Sequence, residues 1–136
     1  MLPQFDQSGN LPPGVHQSAL PEVLHRFGLT SEVRRAQAES LEWLIPLCKV
    51  AGIIRIVING SFVTDVAEPN DVDCALLMGP AYNEQSEAAA ELEGGLPFLS
   101  LQIVREGRFA ELLDFFATNR GGVGKGVVEI IYDTAK

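Results

Sequence analysis

The 136-residue chain has few cysteines, which argues against a disulfide-stabilised protein. It also has few basic residues, which argues against a protein that binds long nucleic acids unaided. It has two cysteines, and ten Lys and Arg residues stand against eighteen Asp and Glu, for a net charge of −8. Cys48 and Cys74 each lie in an apolar stretch, which favours buried free thiols over a disulfide. No apolar run is long enough to span a bilayer, and the N-terminus lacks the basic and apolar regions of a signal peptide. We therefore expect a cytoplasmic protein without a membrane segment.

The scarcity of positive charge also limits the partners of this chain. Polymeric nucleic acid is held mainly through neutralisation of its phosphates by Lys and Arg. The basic residues here are scattered, and Arg34-Arg35 is the only adjacent pair. Binding of a long nucleic acid is therefore not expected without a helper protein. A small anionic ligand that arrives with a metal ion remains compatible, because the ion supplies the missing positive charge.

The hydrophobic content is sufficient for one small core. Hydrophobic residues make up 46% of the chain, and this length fits one compact domain. Residues 1–17 are rich in Pro, Gly and Gln and are predicted to form an extended arm, followed by a single domain over residues 18–136. Hydrophobic periodicity predicts the order α-α-β-β-α-β-α-β. The expected fold class is α/β (α+β), with a short mixed sheet of about four strands flanked by helices.

The longest helical pattern runs through "TSEVRRAQAESLEWLIPLCKVAG" and contains one proline. Thr30 or Ser31 provides an N-terminal cap, and Gly52 ends the pattern. Pro46 lacks an amide N–H, so we expect the helix to kink or to break one turn earlier. Trp43 is expected to lie in the core.

The stretch "INGSFVTDVAEPNDVDCALLMG", residues 58–79, contains the residues with the clearest chemical potential. One predicted strand ends in Gly60-Ser61, and the next opens on Asp71 and Asp73. Alternation along a strand puts both carboxylates on one face, about 7 Å apart, where they can share one or two divalent cations. Magnesium suits such a site because it accepts a few carboxylates together with water and phosphate oxygens. Glycine allows close approach of the backbone to a ligand, and the serine hydroxyl with nearby N–H groups can cradle phosphate oxygens.

The same residues are also compatible with an ordinary turn. Pro69-Asn70-Asp71 is a favourable turn sequence, and Asp at the start of a strand is common. Gly-Ser after a strand is equally common. The spacing alone therefore leaves open both a metal–phosphate site and an acidic turn without a ligand.

This stretch resembles the signature of the nucleotidyltransferase superfamily, which has a polymerase β-like fold. The signature consists of a hydrophobic run, Gly-Ser, a connection of roughly ten residues and then Asp-x-Asp framed by apolar residues; here the connection has nine, residues 62–70. The segments "LPPGVHQSALPEVLHRFG" and "DFFATNRGGVGKG" are similar to those of a small bacterial family of uncharacterised nucleotidyltransferase-like proteins. The resemblance covers nearly the whole chain.

The resemblance implies a function for each matched position. Gly60 and Ser61 would bind the phosphates of a nucleoside triphosphate such as ATP, and Asp71 and Asp73 would ligate Mg²⁺, with room for a two-metal site. The implied reaction is transfer of a nucleotidyl group to an acceptor hydroxyl. Lys125, in the glycine-rich segment "NRGGVGKG" with Arg120, is a further candidate for contact with the triphosphate, the alternative being a solvated side chain in a turn.

One departure from the superfamily pattern puts catalysis in question. The superfamily usually supplies a third carboxylate from a later strand, and the corresponding strand here is "FLSLQIV". Its residues Phe98, Ser100 and Gln102 share one face, and none is acidic. Glu129 and Asp133 near the C-terminus are the remaining candidates, although the spacing requires neither. The alternative function is therefore a catalytically degenerate member that acts by binding a protein, for example as one half of a toxin–antitoxin pair.

Overall fold

The structure is a computed structural model, and it describes residues 1–117 and 124–132. Five strands lie in this part of the chain: β1 Gly14–Ala19, β2 Ile53–Asn59, β3 Val72–Met78, β4 Leu99–Val104 and β5 Gly126–Ile131. Its α-helices are α1 Leu20–Phe27, α2 Glu32–Ala51, α3 Glu87–Gly94 and α4 Glu106–Phe116. None of these helices combines the length and the apolar character needed to cross a membrane.

The strands form one mixed sheet in the order β1-β5-β2-β3-β4. The central strand β2 is antiparallel to both β5 and β3, whereas β1 is parallel to β5 and β4 is parallel to β3. The prediction of a mixed α/β sheet is confirmed, but the count of about four strands is one too low. The additional strand, β1, begins inside the segment predicted as an extended arm. It forms through pairing of Gly14–Ala19 with Gly126–Ile131, a partner more than a hundred residues away that local periodicity does not indicate.

Helices cover both faces of the sheet. The larger core lies under α1, α2 and α3 and includes Ile56, Ile58 and Leu76, whereas α4 packs through Phe109 and Phe116 on the opposite face. The alternation of side chains along each strand explains this division, because neighbouring residues of β2 and β3 point into different layers. Both cysteines are buried free thiols in the larger core, as the sequence predicted.

Of the kink or break expected at Pro46, the break is absent, because helix α2 runs continuously through this residue. Pro46 is exposed, while Leu44 and Cys48 on either side of it are buried, so both halves of the helix are anchored in the core around the proline. The helix ends at Gly52, whose φ of 95° requires the left-handed conformation that glycine adopts readily. Trp43 is 50% exposed rather than in the core, because it lies on the solvent side of this helix.

The N-terminal residues are packed against the domain. Leu2 and Leu11 are buried, and Arg26 donates a hydrogen bond to the Pro3 carbonyl at 2.7 Å. The amide of Asp65 donates to the Gly9 carbonyl at 3.0 Å. This last contact ties the arm to the loop that follows Gly60-Ser61, and the arm thus helps to position the candidate site.

Candidate functional site

A cleft of about 660 Å³ opens at the end of the sheet where β2 finishes and β3 and β4 begin. It is bounded by the N-terminal half of α2, the connection between β2 and β3, and the start of β4. The residues that line it are Val33, Gln37, Ser61, Pro69, Asn70, Asp71, Asp73, Phe98 and Ser100. Three of the predicted site residues, Ser61, Asp71 and Asp73, therefore lie together in one cleft.

Gly60 brings the end of β2 against the carboxylate of Asp73. Asn59 and Asp73 are register partners across β2 and β3, and a Cβ placed on Gly60 would lie 2.8 Å from Asp73 Oδ2. The φ of Gly60 is 92°, which also disfavours any residue with a side chain. Ser61 closes the connection, because its Oγ accepts a hydrogen bond from the Asn70 amide at 2.9 Å. The aspartate therefore faces the Gly-Ser bend rather than turning away from it.

The two acids differ in their surroundings. Asp71 is exposed and directly precedes β3, whereas Asp73 is half-buried. Burial raises the pKa of Asp73; the Lys125 ammonium opposes this shift and the Asp71 carboxylate adds to it. The ion pairs within residues 1–117 and 124–132 involve Glu22, Glu129 and Glu111, and neither aspartate takes part in one. Both carboxylates are thus available to a cation.

Lys125 lies just before β5 and is half-exposed. The positive charge of Lys125 acts to lower the pKa of the Asp73 carboxyl. The amide N–H of Lys125 donates a hydrogen bond to the Ala117 carbonyl at 2.8 Å. The side chain is not among those that line the cleft. Lys125 therefore lies near enough to act on the charge of Asp73 without lining the cleft, and Arg120 falls outside the described residues.

Ser100 occupies the place beside Asp73 where a third acid would be expected. The two residues are register partners on the parallel strands β3 and β4, and both line the cleft. Gln102, next on that face of β4, is exposed. Glu129 is held elsewhere, in a two-pronged pair with Arg55 at 2.8 and 2.9 Å. Asp133 is outside the described residues, and within the described ones no three Asp, Glu, His or Cys side chains are grouped to hold a metal.

Arg34 organises the loop behind the Gly-Ser bend, and sequence reasoning missed it. Its side chain is 3% exposed and donates to the carbonyls of Phe62, Thr64 and Val66 at 2.6–2.7 Å, and to that of Phe27 at 3.0 Å. Burial lowers the pKa of Arg34, and the Asp65 charge partly offsets this. Because its bonds go to backbone carbonyls, the guanidinium fixes the loop and keeps a positive charge behind it.

Gln37, one turn further along α2, holds the other end of the same connection. Its Nε2 donates to the carbonyls of Pro69 and Asn70, at 3.2 and 2.5 Å. The residue is 1% exposed, and its Oε1 is a buried acceptor without a hydrogen-bond partner in the described structure. A sequence signal for both residues existed: positions 34 and 37 continue the three- and four-residue spacing of the buried row Leu41, Leu44 and Cys48.

The raised pKa of Asp73 predicts a stability change for Asp73→Asn. An acid with a raised folded-state pKa destabilises the folded chain as pH rises from its ordinary value, 3.8, through the raised value. Without metal at pH 7, Asp73→Asn should raise the free energy of unfolding by about 0.5 kcal/mol after solvent screening, or Tm by roughly 2 °C. Thermal melts at pH 7 and pH 3 measure this. The gain should vanish at pH 3, and a loss of stability at pH 7 would contradict the prediction.

Comparison with known families assigns the chain to one family. Residues 3–131 match the family described as "Family of unknown function (DUF6932)", and the chain belongs to it. No curated protein and no solved structure matches the chain.

Proposed function

We propose that this protein binds a nucleoside triphosphate with Mg²⁺ in the cleft and transfers a nucleotidyl group to an acceptor hydroxyl, as its resemblance to the nucleotidyltransferase superfamily implies. The observation that carries the proposal is the close approach of Gly60 to the Asp73 carboxylate. A Cβ built on Gly60 would lie 2.8 Å from Asp73 Oδ2. A phosphate group at the Gly-Ser bend and a cation on Asp71 and Asp73 would then be neighbours. Such proximity of phosphate and metal is what phosphoryl and nucleotidyl transfer require.

The donor set fits magnesium. Carboxylate oxygens are hard ligands, and an exposed Asp71 beside a half-buried Asp73 leaves positions for water and phosphate oxygens. When bound, the ion would neutralise phosphate charge and orient the transferring group. The chain itself would contribute the serine hydroxyl and the backbone N–H groups of the bend, which orient the phosphates. The buried guanidinium of Arg34 lies behind that bend and adds a fixed positive charge.

A second candidate function is supported by Ser100. A serine beside Asp73, with Glu129 paired to Arg55, leaves two carboxylates in the described part of the cleft and no evident third. A degenerate member of the superfamily that works by protein binding, such as one half of a toxin–antitoxin pair, would have this composition. Phe115, 75% exposed on α4, offers an apolar contact for a partner. A cytoplasmic location, and dependence on a helper for any polymeric nucleic acid, belong to both candidates.

Calorimetric titration tests the binding step. We expect saturable binding of at least one of ATP, GTP, CTP and UTP in the presence of Mg²⁺, and at least about tenfold weaker binding by Asp71→Asn/Asp73→Asn. Glu39→Gln/Glu42→Gln, at two exposed positions of α2, makes the same change in net charge and should leave the affinity unchanged. Binding that ignores both Mg²⁺ and the aspartate substitutions would overturn the proposal.

A transfer assay separates the two candidates. The protein is incubated with Mg²⁺, a cell lysate and a nucleoside triphosphate labelled on its α-phosphate, and the label is followed onto an acceptor. Labelling that disappears in Asp71→Asn/Asp73→Asn supports the transferase. Mg²⁺-dependent binding without labelling supports the degenerate binding protein.

A further inference from the structure

Phe98 occupies a backbone position that favours glycine. The Leu99 amide donates to the Leu96 carbonyl at 3.3 Å, closing a turn with Pro97 at its second position and Phe98 at its third. The φ of Phe98 is 64°, the only positive φ of a non-glycine residue in the described parts of the chain. Turns with proline at the second position and positive φ at the third, of type II, strongly prefer glycine or asparagine there. A bulky aromatic residue is therefore strained at this position.

The side chain of Phe98, whose backbone is strained, is also exposed in the cleft. Phe98 is 49% exposed and lines the cleft beside the acids, so burial does not compensate for the strain. Its carbonyl accepts a hydrogen bond from the amide of Val72, the residue between Asp71 and Asp73, at 2.9 Å. The turn thus fixes the ring relative to the acid pair. Strain and apolar exposure at one residue of a cleft are typical of a functional role.

A second, independent observation indicates a ligand in the same cleft. The Gln37 side chain is nine-tenths or more buried, lines the cleft and has an Oε1 without a hydrogen-bond partner among residues 1–117 and 124–132. Its orientation is defined, because Nε2 is committed to the carbonyls of Pro69 and Asn70. A buried acceptor in this state is costly unless a donor reaches it, and a water or a ligand group in the cleft can supply that N–H or O–H. Val33 and Pro69 add apolar wall next to it.

We propose that Phe98 is the platform on which the planar base of the nucleotide stacks, and that Gln37 Oε1 accepts a hydrogen bond from a donor of the same nucleoside. This inference rests on the proposed function and adds to it the orientation of the ligand. The phosphates lie at Gly60-Ser61 and the acids, and the base lies at the Phe98 end of the cleft. Stacking uses the π-face that every base has, so it provides affinity for a nucleoside with little choice among bases.

Comparison of ATP with inorganic tripolyphosphate, each with Mg²⁺, tests the platform. The wild-type protein should bind ATP at least about fivefold more tightly than tripolyphosphate, the lower end of the effect of one stacked base. Phe98→Gly should remove most of the preference for ATP over tripolyphosphate, with the Gln37 hydrogen bond retaining the remainder, and should leave tripolyphosphate binding unchanged. Because glycine accepts the positive φ, the Tm of this variant should be equal or higher. Phe98→Tyr should keep the preference for ATP, and Phe115→Ala, an exposed phenylalanine on α4 that is not part of the cleft, should keep it as well.

The outcomes separate this inference from the proposed function. Equal affinities of the wild-type protein for ATP and tripolyphosphate, both Mg²⁺-dependent, would overturn the platform and leave the phosphate–metal site standing. An equal loss of affinity for ATP and for tripolyphosphate in Phe98→Gly would also overturn it. Phe98 would then matter only because its turn shapes the cleft, and not because its ring stacks on a base. Absence of Mg²⁺-dependent binding for tripolyphosphate and for all four nucleoside triphosphates would overturn the proposed function and the platform together.

Discussion

Replacing Arg34 by methionine is expected to lower the free energy of unfolding by about 3–5 kcal/mol, and Tm by roughly 10–20 °C. Methionine fills a similar volume but has no donor, so the carbonyls of Phe27, Phe62, Thr64 and Val66 lose the bonds they accept from the guanidinium. Each buried carbonyl left without a donor costs about 1–3 kcal/mol, less where the loop relaxes to admit water. Urea denaturation monitored by circular dichroism measures the loss.

Arg35 provides a matched control for this substitution. It is the neighbouring arginine on α2, it is exposed, and its guanidinium donates a hydrogen bond to the Leu29 carbonyl at 2.8 Å. Arg35→Met should cost less than about 1 kcal/mol, because water replaces the lost donor. Similar losses in the two variants would contradict the role assigned to Arg34. Arg34→Lys should retain only part of the stability, since an ammonium group cannot span the same set of carbonyls.

Sequence reasoning located the parts of the site that depend on local pattern. Gly60, Ser61, Asp71 and Asp73 are visible because two hydrophobic runs flank them and because a strand alternates its faces. The structure places Ser61, Asp71 and Asp73 along one cleft, with the Asp73 carboxylate against Gly60; their roles in binding phosphate and metal stay predictions. The membership of a nucleotidyltransferase superfamily, and the metal, stay predictions.

Two of the three features that sequence reasoning missed depend on distant partners. Strand β1 exists because β5 pairs with it, and a Pro- and Gly-rich segment gives no local sign of that. Arginine normally lies on the surface, yet the Arg34 side chain is buried and donates hydrogen bonds to carbonyls about thirty residues away in the sequence. Phe98 was assigned to a strand face, but a turn before β4 sets its conformation. For β1 and Arg34 tertiary contact overrode local propensity, whereas the turn at Phe98 is local and opposes the preference of a bulky residue for negative φ.

Breaking the Arg55–Glu129 ion pair is expected to produce the second large loss in the free energy of unfolding. Glu129 is 8% exposed, and the hydrogen bonds from Arg55 hold the pKa of its carboxyl below the ordinary value of 4.5. Arg55→Met removes the charged partner of that buried carboxylate and leaves it only the weaker hydrogen bond to Gln17, so it should cost about 2–3 kcal/mol at pH 7, toward the lower end for buried pairs because Arg55 is partly exposed. Arg55→Met/Glu129→Leu should recover most of this loss, since neither charge remains. Urea denaturation of the two single variants and the double variant gives the coupling energy, and additive losses would contradict a coupled pair.

Two measurements decide whether Glu129 belongs to the site. One is the pH dependence of the stability that the Arg55–Glu129 pair contributes, and the other is the Mg²⁺-dependent nucleotide affinity of a Glu129 variant. A carboxyl with a lowered folded-state pKa contributes stability above about 4.5 that is lost as pH falls through the folded pKa, so the deficit of Arg55→Met should shrink as the medium is acidified. Because both carboxylate oxygens are bonded to Arg55, Glu129→Gln should reduce stability and leave Mg²⁺-dependent nucleotide affinity unchanged. A selective loss of that affinity in Glu129→Gln, with stability maintained, would instead make Glu129 the third metal-binding acid. The cleft would then contain the complete carboxylate set that a transferase needs.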